Sequence, residues 1–389
     1  PILTRLATVE LAPRGAEIVA FHRPASQLLV TDAGHGEVHL LLVESWDPPR
    51  FSTVDAFPPT DSNLAIPVPG KPTSVAVHPS LPLAIVVTAS ANPEERGFAV
   101  FLDLRAKSPG RVLRTQPVGC RPGSVAISPD GRWAIIANKA GDSDATPGTI
   151  GLLDLRNLEG WVDDRLAAVP YLEPGGLEQL LGRPAGGIEP EFVAVDAASR
   201  MAAISCQDND AVVLLDLQAD PPALASVLPL PDGAAPDGVS LLDGYKGPDG
   251  RPGLLLAVAE EGKSVQAVSF HWLDPERDAA PPLLLSRADV RPMVNPARPG
   301  KRRDPESILL LRQDGRAYAL VGIERGHRVL CLDVTEAAQP RLVGRVPTGP
   351  GPEGLIAVEQ EDGWLIVTGD EGEAAGPGSL SVLRLRRAP

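Results

Sequence analysis

The sequence predicts an all-β chain: a seven-bladed β-propeller of four-stranded antiparallel blades, with the ring closed by the N-terminal strand in the last blade. Three observations carry this. One phrase (turn, apolar strand, turn, apolar strand, polar loop, apolar strand) recurs seven times. Its Val-, Ile- and Leu-rich segments are short and bounded by Gly, Asp, Asn and Pro, which is strand punctuation. The last copy lacks a fourth strand, and the N-terminus offers one.

The copies occupy residues 15–43, 71–104, 121–155, 189–217, 235–270, 304–334 and 351–385. A fourth candidate strand lies between copies, such as RLVGRVPTG at 341–349. Four strands at a spacing of about fifty residues is the period of a propeller blade. The physical reason is burial. A lone four-stranded sheet cannot cover both its faces, whereas blades packed radially cover one another and leave only short edges. Copy seven ends in SLSVLRL. Residues 3–11, LTRLATVEL, precede copy one as RLVGRVPTG precedes copy seven, so they complete the last blade. The chain, 1–389, reads as one propeller domain. Two connections exceed what a blade needs. Residues 156–188 contain GLEQLLG at 176–182, a helical turn or two. Residues 273–303 are Pro-rich and end in Lys301-Arg302-Arg303, read as a solvated loop.

Composition narrows the function. Hydrophobic residues make up 43%, enough for a core between blades. Gly (38) and Pro (42) are spread along the chain, which fits many tight turns and not a disordered tract. With 36 basic and 50 acidic residues the net charge is −14, which repels nucleic acid and attracts cations. No apolar run is long enough to span a membrane. The chain opens directly into strand-like sequence without a signal-peptide pattern, as a mature chain with its leader removed would.

The phrase GPEGLIAV at 351–358 raises the functional question, because a carboxylate stands where the chain turns into an apolar strand. It has sister phrases in EPEFVAV (189–195), APDGVSL (235–241) and DPESILL (304–310). In a propeller the first strand of each blade lines the central channel. The residues before it therefore stand at the channel mouth: Glu17, Thr73, Gly123, Glu191, Asp237, Glu306 and Glu353. The second-to-third-strand loops open on the same end. They carry Asp32, Asp142, Asp144, Asp208, Asp210, Glu260, Glu261, Glu324, Asp370 and Glu371. Carboxylates crowded this way need bound cations, basic neighbours or raised pKa values. Ca²⁺ and Mg²⁺ take such oxygen ligands. The plainer reading is turn chemistry and ion pairing, with Lys139, Lys263 and Arg325 on the same face as counter-charges. The pairs Asp142/Asp144 and Asp208/Asp210 are weak calcium hints, since neither continues into an EF-hand loop.

Catalytic patterns are thin. There is no G-x-S-x-G, H-E-x-x-H or Walker loop. His35 and His39 lie four apart in a strand-turn context and read as surface residues. His22, His78 and His271 are scattered, and His327 is a candidate base on the acidic face. Trp133 and Trp364 take equivalent second-strand places and read as blade packing. Cys120, Cys206 and Cys331 read as buried or half-buried free thiols; the alternative is a Cys120–Cys206 bridge between adjacent units.

The ordered phrases GAEIVAF, KPTSVAVHP, RPGSVAISPDGRWAIIANKAGD, EPEFVAV, QDNDAVVLLDL, YALVGIERGHRVLCLDV and GPEGLIAV together resemble the choice-of-anchor I family. That family is YVTN/lactonase-like in its propeller and is similar to mesenchyme-specific cell-surface glycoproteins. The resemblance runs from about residue 15 to 385. It implies the fold and an exported or cell-envelope location, and it implies no settled activity. The family's long middle insertion is shortened here. Only Arg386-Arg387-Ala388-Pro389 follow Leu385, where members carry an anchor.

Three functions compete. The first is a secreted, periplasmic or cell-surface binding module. Its acidic mouth would hold Ca²⁺ or another divalent cation and, through it, a protein, a surface polymer or a small ligand. The second is a metal-dependent hydrolase of lactonase or phosphoesterase type at the same face. The third is a scaffold whose acids only support turns. No organic cofactor is expected.

Overall fold

The computed structural model describes residues 2–11, 15–53, 65–143, 146–158, 166–274, 282–295, 302–372 and 377–386. Among these, the strands form seven separate antiparallel sheets, six of four strands and one of five. Each sheet pairs its strands in chain order, as a propeller blade does. The exception is the predicted one. In the last blade Ile2–Glu10 lies beside Ser379–Arg386, followed by Gly363–Asp370 and Pro352–Gln360. The closing register runs from Ile2 opposite Arg386 to Glu10 opposite Ser379.

Alternation along the strands builds the core. In blade 5, Leu254, Leu256 and Val258 face Val212 and Leu214 of blade 4. Their neighbours Leu255 and Ala257 face Ala319 and Leu330 of blade 6. Both faces of an inner strand are therefore apolar, and the side-chain period of two divides them between two neighbours.

The channel side is shaped by proline and glycine. Pro122, Pro190, Pro236, Pro305 and Pro352 each open a first strand, where no ladder donor is missed. Arg121, Ala235, Asp304 and Gly351 stand before four of them with φ between 37° and 67°, turning the chain sharply into the channel. The residue after the mouth position is small in several blades. A Cβ on Gly354 would lie 2.8 Å from the Glu17 carbonyl oxygen of blade 1, and one on Gly238 would lie 2.6 Å from the Glu306 carbonyl oxygen of blade 6. Glycine is thus required for adjacent first strands to approach around the axis.

The connections follow expectation in outline. Leu177–Leu181 is a short helix, and Arg291–Val294 forms one further turn. Lys301 lies outside the described residues. Arg302 is tied to Asp304 at 2.5 Å, and the Arg303 N–H donates to Gln266 Oε1, so this end of the basic run is bonded to the blade. All three cysteines are free and buried, and no Cys120–Cys206 bridge forms.

Two local readings are corrected. His39 is buried, not a surface residue, and sits against the buried Asp32 with Nε2 3.3 Å from its carboxylate. His35 binds the same carboxylate at 2.8 Å with its side chain half exposed. The tryptophans are not equivalent. Trp133 lies opposite Asp154 and packs toward blade 4, whereas Trp364 lies opposite Leu385 and packs toward blade 6. One residue of offset puts them on opposite faces of their blades.

Gly354→Ala tests the close approach around the axis. It is expected to cost about 1–3 kcal/mol, the range for overpacking. Urea unfolding followed by tryptophan fluorescence measures it, and an unchanged midpoint would contradict the packing described.

Candidate functional site at the channel mouth

All seven residues placed at the mouth by the repeat line one cavity of about 460 Å³. The cavity is asymmetric. Blades 1, 4, 5, 6 and 7 present Glu17, Glu191, Asp237, Glu306 and Glu353. Blades 2 and 3 present the small Thr73 and Gly123. Room opens on that side, and Lys71, Arg121 and Lys139 line it. The Thr73 hydroxyl is turned into the scaffold, donating to the Pro122 carbonyl at 2.6 Å.

The acids are offset in different ways. Lys139 Nζ stands 2.5 Å from Glu191 Oε2. Arg121 approaches Glu189 at 3.8 Å and Asp142 at 3.6 Å. Burial pushes Glu17 up to about 7, against the charge of nearby Lys71 and with help from Glu371 and Asp32. Asp237, Glu261 and Glu306 bring one carboxylate oxygen each within 4.8 Å of one another. Burial drives Glu306 far above the usual carboxylate range, and its hydrogen bond to Glu261 and the charge of Asp237 add to this. Burial therefore favours the protonated form most strongly at Glu306, which is hydrogen-bonded to Glu261 and Asp237, and it also raises both of those. Glu353 is raised first by burial and then by the charges of Glu371, Glu17 and Asp237. The arc from blade 5 round to blade 1 thus carries carboxyls raised by burial, with Lys71 acting on Glu17, Arg302 on Glu261 and Lys139 on Asp237.

The loop acids divide into three groups. Glu261 joins the mouth cluster, and Glu371 and Glu324 act on it electrostatically. Asp142 and Asp208 are on the outer surface of the loops, the former paired with Arg121. Asp32, Asp210, Glu260 and Asp370 do not face the mouth, contrary to the sequence reading. Asp370 is buried and accepts bonds from Thr368, Ser379, Ser381 and the Gly349 N–H. Asp32 accepts from the Gly15 and His35 N–H groups as well as the two histidines. Asp210 caps a turn through the Gly233 and Ala235 N–H groups at 2.7 and 2.9 Å. Glu260 is buried against Arg287 at 2.6 Å. The reason is geometric: these residues end second strands or their tight loops, where the side chain points back into the blade. Asp144 lies outside the described residues.

Of the expected counter-charges, Lys139 meets a mouth acid, Arg325 binds Asp304 at 2.7 Å and Glu324 at 3.4 Å, and Lys263 is exposed. The Gly351 N–H donates to His327 Nδ1 at 3.1 Å, so this ring ties blade 6 to the turn of blade 7. Lys71 and Arg121 were not singled out as mouth residues. Their signal is nonetheless in the repeat, because both stand two places ahead of Thr73 and Gly123, just before the intervening proline.

The family model described as the choice-of-anchor I domain matches residues 17–231. No curated protein matches the chain. Among solved structures the chain is similar to Kuenenia stuttgartiensis hydrazine synthase (14% identity, TM-score 0.65, 98% of this chain and 97% of that one). It is also similar to the β-propeller domain of Myceliophteria thermophila Cps50 (Swd1) (11%, TM-score 0.61, 99% and 100%). A functionally unknown protein from Desulfotomaculum acetoxidans is similar at 13% identity and TM-score 0.54, over 87% and 84%. At these identities the likeness shows the fold alone.

The raised pKa of Glu17 fixes a pH dependence. A carboxyl that holds its proton more tightly folded than unfolded stabilises least once it must ionise. Its contribution therefore falls as pH rises from its ordinary 4.5 to about 7 and is flat above that. The metal-free protein is expected to lose on the order of 3 kcal/mol across this window through Glu17. Glu17→Gln is expected to flatten that part of the curve. Chemical denaturation in EDTA at half-unit pH steps checks both.

Proposed function

The chain belongs to the choice-of-anchor I family, and from that premise we propose that it is an exported or cell-envelope interaction module whose channel mouth binds a divalent cation. One observation carries this reading. Asp237, Glu261 and Glu306 offer carboxylate oxygens within 4.8 Å of one another, and Asp237 and Glu306 line an accessible cavity together with Glu353 and Glu17. Without an ion, such a group stays buried only by keeping protons. A hard cation replaces those protons with oxygen coordination, and the set fits Ca²⁺ or Mg²⁺. Glu191, held by Lys139, takes a lesser part.

The ion would in turn hold an anionic group of a protein or surface polymer. The lysine and arginine side of the cavity favours such a group. The hydrolase reading uses the same ion as a Lewis acid. Binding is favoured over it by one detail: His327, the histidine on this face, is engaged through Nδ1 by the Gly351 turn.

Calorimetry with CaCl₂ and MgCl₂ in buffers of different ionisation enthalpy tests the site. Saturable binding that releases at least one proton is expected at pH 6–7. Stabilisation is expected to reach about 2.7 kcal/mol at a hundredfold excess over Kd. Glu306→Gln is expected to reduce the proton release and weaken binding at least tenfold. An ion-independent melting temperature together with no proton release would overturn the reading. Turnover of a p-nitrophenyl phosphate or lactone in the same buffers would favour the hydrolase instead.

A further inference from the structure

Blade 5 breaks a rule that the other blades keep. Take the last residue of each second strand that pairs with the third, and count four places on from its partner. Six blades have leucine there: Leu41, Leu102, Leu153, Leu215, Leu332 and Leu383. Each packs against the preceding blade. Blade 5 has His271, paired with Leu256 on the second strand and Leu284 on the outer one. The imidazole is 3% exposed, and burial lowers its pKa to about 4, so it is neutral.

This substitution comes with space. A cleft of about 470 Å³ lies between blades 4 and 5, with Leu228 and Leu230 on one wall and His271, Ser269 and Leu284 on the other. Leu284 is 54% exposed at its lip. Two buried polar atoms on this wall have no hydrogen-bond partner among the described residues: His271 Nδ1 and Glu260 Oε1. The other imidazole nitrogen meets Ser269 Oγ at 3.0 Å, and the other Glu260 oxygen meets Arg287. A single ordered water fills only about 30 Å³, whereas ligand cavities run about 300–1,000 Å³. A leucine here would leave the wall without this unpartnered nitrogen, as in the six blades that keep it. Unpaired buried polar groups are uncommon in native proteins and call for a partner.

We propose that the cleft between blades 4 and 5 binds a small, mostly apolar molecule bearing a hydroxyl group, an aromatic or aliphatic alcohol. The apolar body lies on Leu228, Leu230 and Leu284. The hydroxyl meets His271 Nδ1. Because Ser269 can donate to or accept from the ring, Nδ1 takes either role, and a hydroxyl serves both. Glu260 Oε1 is the acceptor for a second donor on a longer ligand. The site is separate from the channel mouth and stands whether or not a cation binds there.

Titrating the intact, histidine-labelled chain with p-cresol, and with toluene as the hydroxyl-free control, tests this by NMR. A saturable shift of one imidazole signal is expected with p-cresol, at least tenfold weaker with toluene. That signal is assigned by its loss in His271→Leu. This variant is expected to melt no lower than the wild type, since leucine suits the other six blades, and to bind p-cresol at least tenfold more weakly. Leu284→Glu, at an exposed lip where folding is unaffected, is expected to weaken p-cresol comparably. No saturable shift, an equal response to toluene, or unchanged binding in Leu284→Glu would overturn the proposal.

Discussion

The convergence of first strands on one axis sets the rest of this structure. Their backbones approach so closely that Gly238 and Gly354 have no room for a Cβ against the neighbouring carbonyls. The residue just before each of these glycines cannot point into that contact and projects at the channel mouth instead. The repeat fills that place with carboxylates in blades 1, 4, 5, 6 and 7. The crowding of acids is thus a consequence of ring closure combined with sequence choice. A turn residue alone would carry no such cost, because on an open surface water would screen it.

The fold was legible because its cause is repetitive. Period-two apolar segments, prolines opening the inner strands and a spare strand at the N-terminus each follow from sheet burial, and the closing register of Ile2–Glu10 on Ser379–Arg386 needed only that logic. The inner ring was legible for the same reason, since one repeat position maps to one place around the axis. Reading failed where a single residue of register or a side-chain direction decides. Asp32 and Asp370 look like loop acids in the sequence, yet they end second strands and turn back into buried hydrogen-bond networks. Trp133 and Trp364 seem aligned by eye, and the ladder places them one residue out of step. His39 was hidden because nothing in a strand sequence says that a buried aspartate lies beside it.

The electrostatics of the mouth follow from its asymmetry. Where blades 2 and 3 drop the acid for Thr73 and Gly123, the chain supplies Lys71 and Arg121 two places earlier. These bases reach Glu17 and Glu189, and Lys139 reaches Glu191. Only Lys139 acts on Asp237, and burial together with the neighbouring acids raises both Asp237 and Glu306. A ring built only for stability would have distributed the counter-charges evenly. Strongly perturbed carboxyls of this kind cluster at functional sites, and structural ion-pair networks produce them too.

Departures from the repeat are informative in proportion to how strictly the repeat is otherwise kept. A histidine by itself means little. A histidine in a place where six blades use leucine changes the local physics. It brings a buried nitrogen to a wall that needs none, and the blades there part into a cleft. The same argument applies at the mouth, where Thr73 and Gly123 depart from the acid and the cavity opens. In a propeller the shared positions maintain the ring. Three positions where a blade differs from its sisters, Thr73, Gly123 and His271, line the cavities at the mouth and between blades 4 and 5.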